Sequence, residues 1–191
     1  MTEHEKRGKV RRYLTIPGGG GSGSGHWQSR WEGNSTGMER IEQSDWNNPL
    51  KEEWVRQIVR QIECSDRSVI LVAHSVGCIA AVYAAARNPE NLAGLFLVAP
   101  ADVDGVWADP PAAYSTFRPV PLEKLKFPSL IIASNNDEYL ATSRAGVFAD
   151  AWGGDIEFVG SLGHLGSDSG LGDWQEGRAL LERFSSFCDE R

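Results

Sequence analysis

The chain has 191 residues, 41% of them hydrophobic, which is enough for one domain with a substantial core. Its formal net charge is −7 and its basic residues are scattered, which excludes the concentrated cationic surface that nucleic acid requires. No apolar stretch reaches the roughly 18 residues of a membrane-spanning helix, and no apolar signal segment follows the polar N-terminus.

Residues 1–10 read as a charged tail, and the single domain is expected to run from 11 to 191. Tyr13–Ile16 is short and β-prone, and it runs into Pro17-Gly-Gly-Gly-Gly-Ser-Gly-Ser-Gly25. That run follows a strand and precedes a tryptophan pair, so it reads as a structured loop at the strand's end. Gly18, Gly20 and Gly23 also fit G-x-G-x-x-G, but no long helix opens after them and no Gly-Lys-Ser/Thr is present. His26–Trp31 predicts a short helix, and Arg40–Gln43 a weak edge strand. Asn48 and Pro49 predict an N-cap and first helical residue, followed by a stripe of Leu50, Trp54, Ile58 and Ile62.

Val69–Ala73 is an apolar β-branched run, and residues 76–87 are apolar all round, as in a buried helix. Leu92–Ala99 is a further strand, and 101–121 is an irregular segment rich in proline and aromatic residues. Ser129–Ser134 predicts a strand, Leu140, Arg144, Val147, Phe148 and Ala151 a helix stripe, and Ile156–Val159 the last strand. Leu180, Leu181, Phe184 and Phe187 line a C-terminal helix. This alternation predicts an α/β fold: three layers, doubly wound, with a mainly parallel sheet of about six strands and no large lid. Cys64, Cys78 and Cys188 are widely spaced and lack metal-ligand spacing, which reads as thiols in a reducing, cytoplasmic setting. Neither a metal nor an organic cofactor is called for.

In such sheets the site lies beyond the C-terminal ends of the strands. The residues just after each strand are therefore the candidates. Ala73-His-Ser75-Val-Gly77 joins a buried strand directly to a helix, the pattern of a nucleophile elbow, which lifts a serine hydroxyl above the sheet. A serine hydroxyl needs a base, and the base needs a carboxylate to hold its tautomer. His164, in a glycine-flanked loop after the last strand, is the base by position. His4 lies in the tail, His26 has no carboxylate placed behind it, and His74 should turn away from the hydroxyl. Asp137, ending a buried strand, is the preferred acid, with Asp102 and then Glu138 as alternatives. The order Ser, acid, His is that of an α/β-hydrolase. The oxyanion hole is expected from the N–H of Val76 and one from the glycine loop, Gly19 or a neighbour.

These residues lie within a broader resemblance. From Tyr13 to Phe187 the chain resembles the small serine hydrolase family of compact α/β-hydrolases, which takes in bacterial esterases and retinoblastoma-binding serine hydrolase-like proteins. The segments that carry it are Pro17-Gly…His26-Trp-Gln-Ser-Arg-Trp31, Glu42-Gln-Ser-Asp-Trp46, Ala73-His-Ser-Val-Gly77, Ala133-Ser-Asn-Asn-Asp137 and Gly163-His-Leu-Gly-Ser-Asp-Ser-Gly-Leu-Gly-Asp-Trp174. The resemblance implies a Ser75–Asp137–His164 triad working without cofactor. The chain departs from the family in having Ala73 for the commoner glycine, and Gly19 where a bulkier residue is frequent. The segment 101–121 is the only cap candidate. Trp107, Tyr114 and Phe117 from it, with Trp27, Trp46 and Trp174, are expected to line an apolar acyl pocket.

The expected activity is hydrolysis of small carboxylic esters through an acyl-enzyme, falling as the pH drops through the ordinary histidine range. Amidase, peptidase or acyltransferase chemistry would use the same residues. A protein-binding module on a hydrolase scaffold is the alternative from another class, although nothing in the sequence indicates a protein partner.

Overall fold

A computed structural model describes residues 11–105 and 112–190. Trp107 and the tail 1–10 therefore lie outside the described residues. Six parallel strands form one open sheet: β1 (Arg12–Ile16), β2 (Met38–Arg40), β3 (Val69–His74), β4 (Leu92–Val98), β5 (Ser129–Ala133) and β6 (Asp155–Phe158). Their spatial order is β2-β1-β3-β4-β5-β6. Among the described residues five α-helices cover the sheet: α1 (Trp27–Asn34), α2 (Lys51–Glu63), α3 (Val76–Ala85), α4 (Thr142–Trp152) and α5 (Gln175–Asp189).

Side chains alternate across a strand, so each strand feeds two cores. Leu71 and Ala73 of β3 join Leu95, Leu97 and Ile131 beneath α2, α3 and α4. Ile70 and Val72 join Phe96, Val98 and Ile132 beneath α1 and α5. All six residues of β3 are buried, the continuous apolar pattern of a central strand covered on both faces. From β1 the chain winds outward to β2 and returns on the other side of β1 to form β3. The loops after β1 and β3 therefore diverge at the point where strand order reverses, and that opens a crevice above the sheet.

Several boundaries differ from the sequence reading. The edge strand is Met38–Arg40 rather than 40–43. Gly37, at φ +93°, turns the chain into it, and Met38 is buried against the α5 face. Beyond it, the Ile41 N–H continues the ladder, to Thr15 O. Helix α2 begins at Lys51, not at Pro49, and its N-cap is Leu50. Asp45 draws the preceding residues into a turn, accepting the N–H groups of Asn47 and Asn48 at 2.8 and 3.0 Å. The Lys51 N–H is then taken by Thr116 Oγ1. Trp54, Ile58 and Ile62 form the buried stripe, while Leu50 is exposed. In α4 the buried face is Ala145, Phe148, Ala149 and Trp152, one position round from the expected stripe, and Val147 points outward. In α5 the exposed Phe187 gives its place to Cys188.

Candidate active site

The site is built on two tight passages at the reversal point. Between β3 and α3, Ser75 takes φ +58° and ψ −132°, a conformation that costs about 1–3 kcal/mol and turns strand into helix within one residue. Its N–H is held by Val98 O at 3.1 Å. A Cβ on Gly77 would come within 2.5 Å of Pro17 O and 2.6 Å of Ile16 O, so only glycine lets α3 start against the end of β1. A Cβ on Gly18 would meet Ser75 Cβ at 2.6 Å. The glycine loop thus lies directly against the serine.

Ser75 Oγ donates to His164 Nε2 at 2.8 Å, and His164 Nδ1 lies 2.9 Å from both carboxylate oxygens of Asp137. These partners assign the tautomer: the proton is on Nδ1, and Nε2 faces the hydroxyl as an acceptor. The Asp137 side chain is fully buried, and its Oδ1 also accepts the Tyr139 N–H at 2.8 Å. The structure thus brings the three residues together. It does not bring the alternative acids. Asp102 is buried in a two-pronged ion pair with Arg144, at 2.8 and 3.0 Å, and Glu138 is exposed.

The loop carrying His164 is tied down on three sides. Asn136 Oδ1 accepts the Gly163 N–H and Ser134 Oγ accepts the Leu162 N–H. His74, turned away from the hydroxyl as expected, donates from Nε2 to His164 O at 2.9 Å. Trp27 Nε1 donates to Leu165 O at 2.8 Å. Leu165 is buried with φ +53°, so this anchoring holds a conformation that leucine alone disfavours.

A cavity of about 430 Å³ opens over Ser75 and His164, between the glycine loop, Tyr114, Tyr139 and Ser167–Asp168. The described indoles expected to line it, Trp27, Trp46 and Trp174, are elsewhere. Trp27 and Trp174 are buried with Trp31 in the core beneath α1 and α5. Phe117 packs edge-on against Trp54 in the opposite core, as does the partly buried Trp46. Their apolar area is used to seat α1, α2 and the His164 loop. Of the expected aromatic residues Tyr114 does line the cavity, and Tyr139, which was not expected there, joins it. Tyr139 meets the His164 ring edge-on with centroids 4.5 Å apart. Tyr114 brings its hydroxyl to within 1.8 Å of where a Gly19 Cβ would stand, so the unusual glycine makes room for the phenol. Burial pushes the pKa of both phenols up, with Glu138 adding to the effect at Tyr139. Proximity to Gly19 could not be read from Tyr114's place in a proline-rich segment.

Within the glycine loop, Gly20 N–H donates to Trp46 O and Gly21 N–H to Gly18 O. That commits the N–H groups of Gly20 and Gly21, while Gly19 and Val76, at the start of α3, both line the cavity over Ser75. Cys78, on the same helix, donates its thiol to Val98 O, and burial raises its pKa well above the ordinary value. Among the described residues no group of three His, Cys, Asp or Glu could hold a metal ion, and no helix is long and apolar enough to cross a membrane.

Two other described histidines, His26 and His74, resist protonation. Burial, then Arg40 and His164, lowers the His26 pKa from 6.5 to about 4. Burial, then His164 and His26, lowers that of His74 well below its ordinary value. On acidification the unfolded chain takes up protons that the folded one refuses. Stability is therefore expected to be full above pH 6.5 and to fall between there and about pH 4. Each histidine contributes a slope of about 1.4 kcal/mol per pH unit. Urea midpoints measured across this range check it, and His26→Asn should flatten the profile.

Comparison with known proteins agrees with this architecture. The family model described as serine hydrolase matches residues 13–183. A YdeN-like hydrolase from Pectobacterium atrosepticum superposes with a TM-score of 0.83 at 32% identity, over 93% of this chain and 92% of its own. The ydeN gene product of B. subtilis gives 0.68 at 17% identity, over 93% and 100%. Est1E from Butyrivibrio proteoclasticus, solved with ferulic acid bound, gives 0.65 at 15% identity, over 97% and 91%. A sequence comparison with curated proteins finds no match.

Proposed function

The chain belongs to the serine hydrolase family, and from that premise we propose that it hydrolyses small carboxylic esters through a Ser75 acyl-enzyme. The observation that carries this reading is the unbroken relay Ser75 Oγ–His164–Asp137, with contacts of 2.8 and 2.9 Å, opening into a cavity. Ser75 Oγ forms a bond to the ester carbonyl carbon while its proton passes to His164 Nε2. The buried Asp137 carboxylate stabilises the resulting imidazolium. The carbonyl oxygen, now negative, is held by the N–H groups of Val76 and Gly19, each contributing about 3 kcal/mol in comparable sites. Collapse breaks the bond to the alkoxide, which leaves with the proton from His164. Water then attacks the acyl-enzyme by the same route in reverse, releasing the acid and restoring the serine.

The partner is thus a small-molecule ester. A cytosolic setting suits the three cysteines, all of which are free thiols. Two measurements test the proposal together. A fluorophosphonate probe should label the protein in a single stoichiometric event. p-Nitrophenyl butyrate should give a burst of p-nitrophenol followed by a slower steady state. A well-folded protein that neither labels nor turns over would sink the hydrolase reading and favour a non-catalytic binding module.

A further inference from the structure

Gly19 and Tyr114 fit each other in a way that the relay does not require. A Cβ on Gly19 would lie 1.8, 2.6 and 2.8 Å from Tyr114 Oη, Cζ and Cε1. The three nearest atoms that a side chain at 19 would meet thus belong to one ring. The phenol oxygen stands within about 3.3 Å of Gly19 Cα, allowing about 1.5 Å for the missing bond. Gly19 is not among the positive-φ glycines, so its backbone would accept a side chain. In the same loop a Cβ on Gly20 or Gly23 would meet nothing within 4 Å. The ring is also a fixed wall. Tyr114 lies on the short 3-10 helix Ala112–Phe117, half-buried and packed against the core beneath α2, α3 and α4. Just beyond it, Thr116 Oγ1 accepts the Lys51 N–H and donates to Pro49 O, and Phe117 is buried against Trp54. Tyr114 and Gly19 together border the 430 Å³ cavity over Ser75.

Resting on the hydrolase reading above, we propose that the Tyr114 ring closes the acyl side of the cavity and limits acyl length. The preferred substrates are then esters of short, unbranched acids. Besides its bond to Ser75 Oγ, the reacting carbon has three groups to place. The leaving oxygen must reach His164 Nε2 for its proton, and the tyrosine against that ring is Tyr139, with centroids 4.5 Å apart. The carbonyl oxygen turns to the N–H groups of Val76 and Gly19. The acyl chain leaves on the side away from His164, past Gly19, where the tip of Tyr114 stands. A longer chain would have to displace a ring whose helix is anchored through Thr116 and Phe117. The limit is one of bulk, so the ring carries it and the hydroxyl does not.

The test measures kcat/KM for p-nitrophenyl acetate, butyrate and hexanoate, which vary the acid, and for ethyl, butyl and hexyl acetate, which vary the alcohol. Wild type is compared with Tyr114→Leu, Tyr114→Ala and Tyr114→Phe. Leucine and alanine both lack Oη, Cζ and Cε1, and leucine keeps a stem to pack on the core, whereas phenylalanine loses Oη alone. In wild type kcat/KM should fall from butyrate to hexanoate. The hexanoate-to-acetate ratio should rise about tenfold in Tyr114→Leu and Tyr114→Ala, and change by less than about threefold in Tyr114→Phe. The alcohol series should keep its order in all four proteins. Adding Gly19→Leu to Tyr114→Ala refills the space from the opposite wall and should restore the wild-type order of acids. A wild type that favours hexanoate over butyrate would overturn the assignment of Tyr114. So would an unchanged acid ratio in labelled Tyr114→Leu and Tyr114→Ala, a shift confined to the alcohol series, or a phenylalanine variant that behaves as leucine does. Failure of the wild type itself to label with fluorophosphonate would overturn the hydrolase reading, and this inference with it.

Discussion

Ser75→Ala is expected to abolish fluorophosphonate labelling and to lower ester turnover by roughly 10⁴- to 10⁶-fold, with little change in thermal midpoint. The backbone at this position is strained whatever the side chain, because φ is +58°, and alanine keeps the same Cβ. Only the hydroxyl and its 2.8 Å contact to His164 are removed. His164→Ala should cost a similar factor, and the double variant little more, because the two residues act as one unit. Residual turnover would come from the oxyanion donors and substrate binding alone. Activity within tenfold of wild type in the well-folded Ser75→Ala protein would place the nucleophile elsewhere.

Asp137→Asn and Asp102→Asn should separate cleanly. An amide at 137 donates to His164 Nδ1 and drives the imidazole proton to Nε2, where it faces Ser75 as a donor instead of an acceptor. In comparable triads this lowers kcat by about 10⁴ with the geometry intact. Asp102 contacts Arg144, not His164. Its amide variant should keep kcat within a few-fold of wild type. It should lose about 2 kcal/mol of stability, because a partly buried guanidinium would face a neutral partner. Steady-state kinetics and urea denaturation on both variants measure the two effects. Activity lost on changing Asp102 but kept on changing Asp137 would transfer the carboxylate role.

Sequence reading was strong where the backbone alone decides. The apolar run of β3, the small residues around Ser75 and the order of residues after each strand follow from chain geometry, so six parallel strands were legible. So was the convergence of the loops bearing Ser75, Asp137 and His164. It was weak where long-range contacts decide. The Asp45 turn moved the start of α2, a choice that Asn48-Pro49 does not reveal. Tryptophans serve pockets and cores with equal chemistry, and Trp27, Trp174 and Phe117 went to the core. Tyr114 was expected in the pocket and lines it, but its seat against Gly19, almost a hundred residues earlier, is information that no local periodicity carries.

The indole cluster has a practical consequence. Trp27, Trp31 and Trp174 stand 4.6, 5.2 and 5.8 Å apart, and Trp27 is hydrogen-bonded to the residue after His164. Their near-ultraviolet absorption and emission are therefore coupled to the loop that carries the base. The protein contains its own optical gauge of whether that loop is seated, readable without dye or substrate.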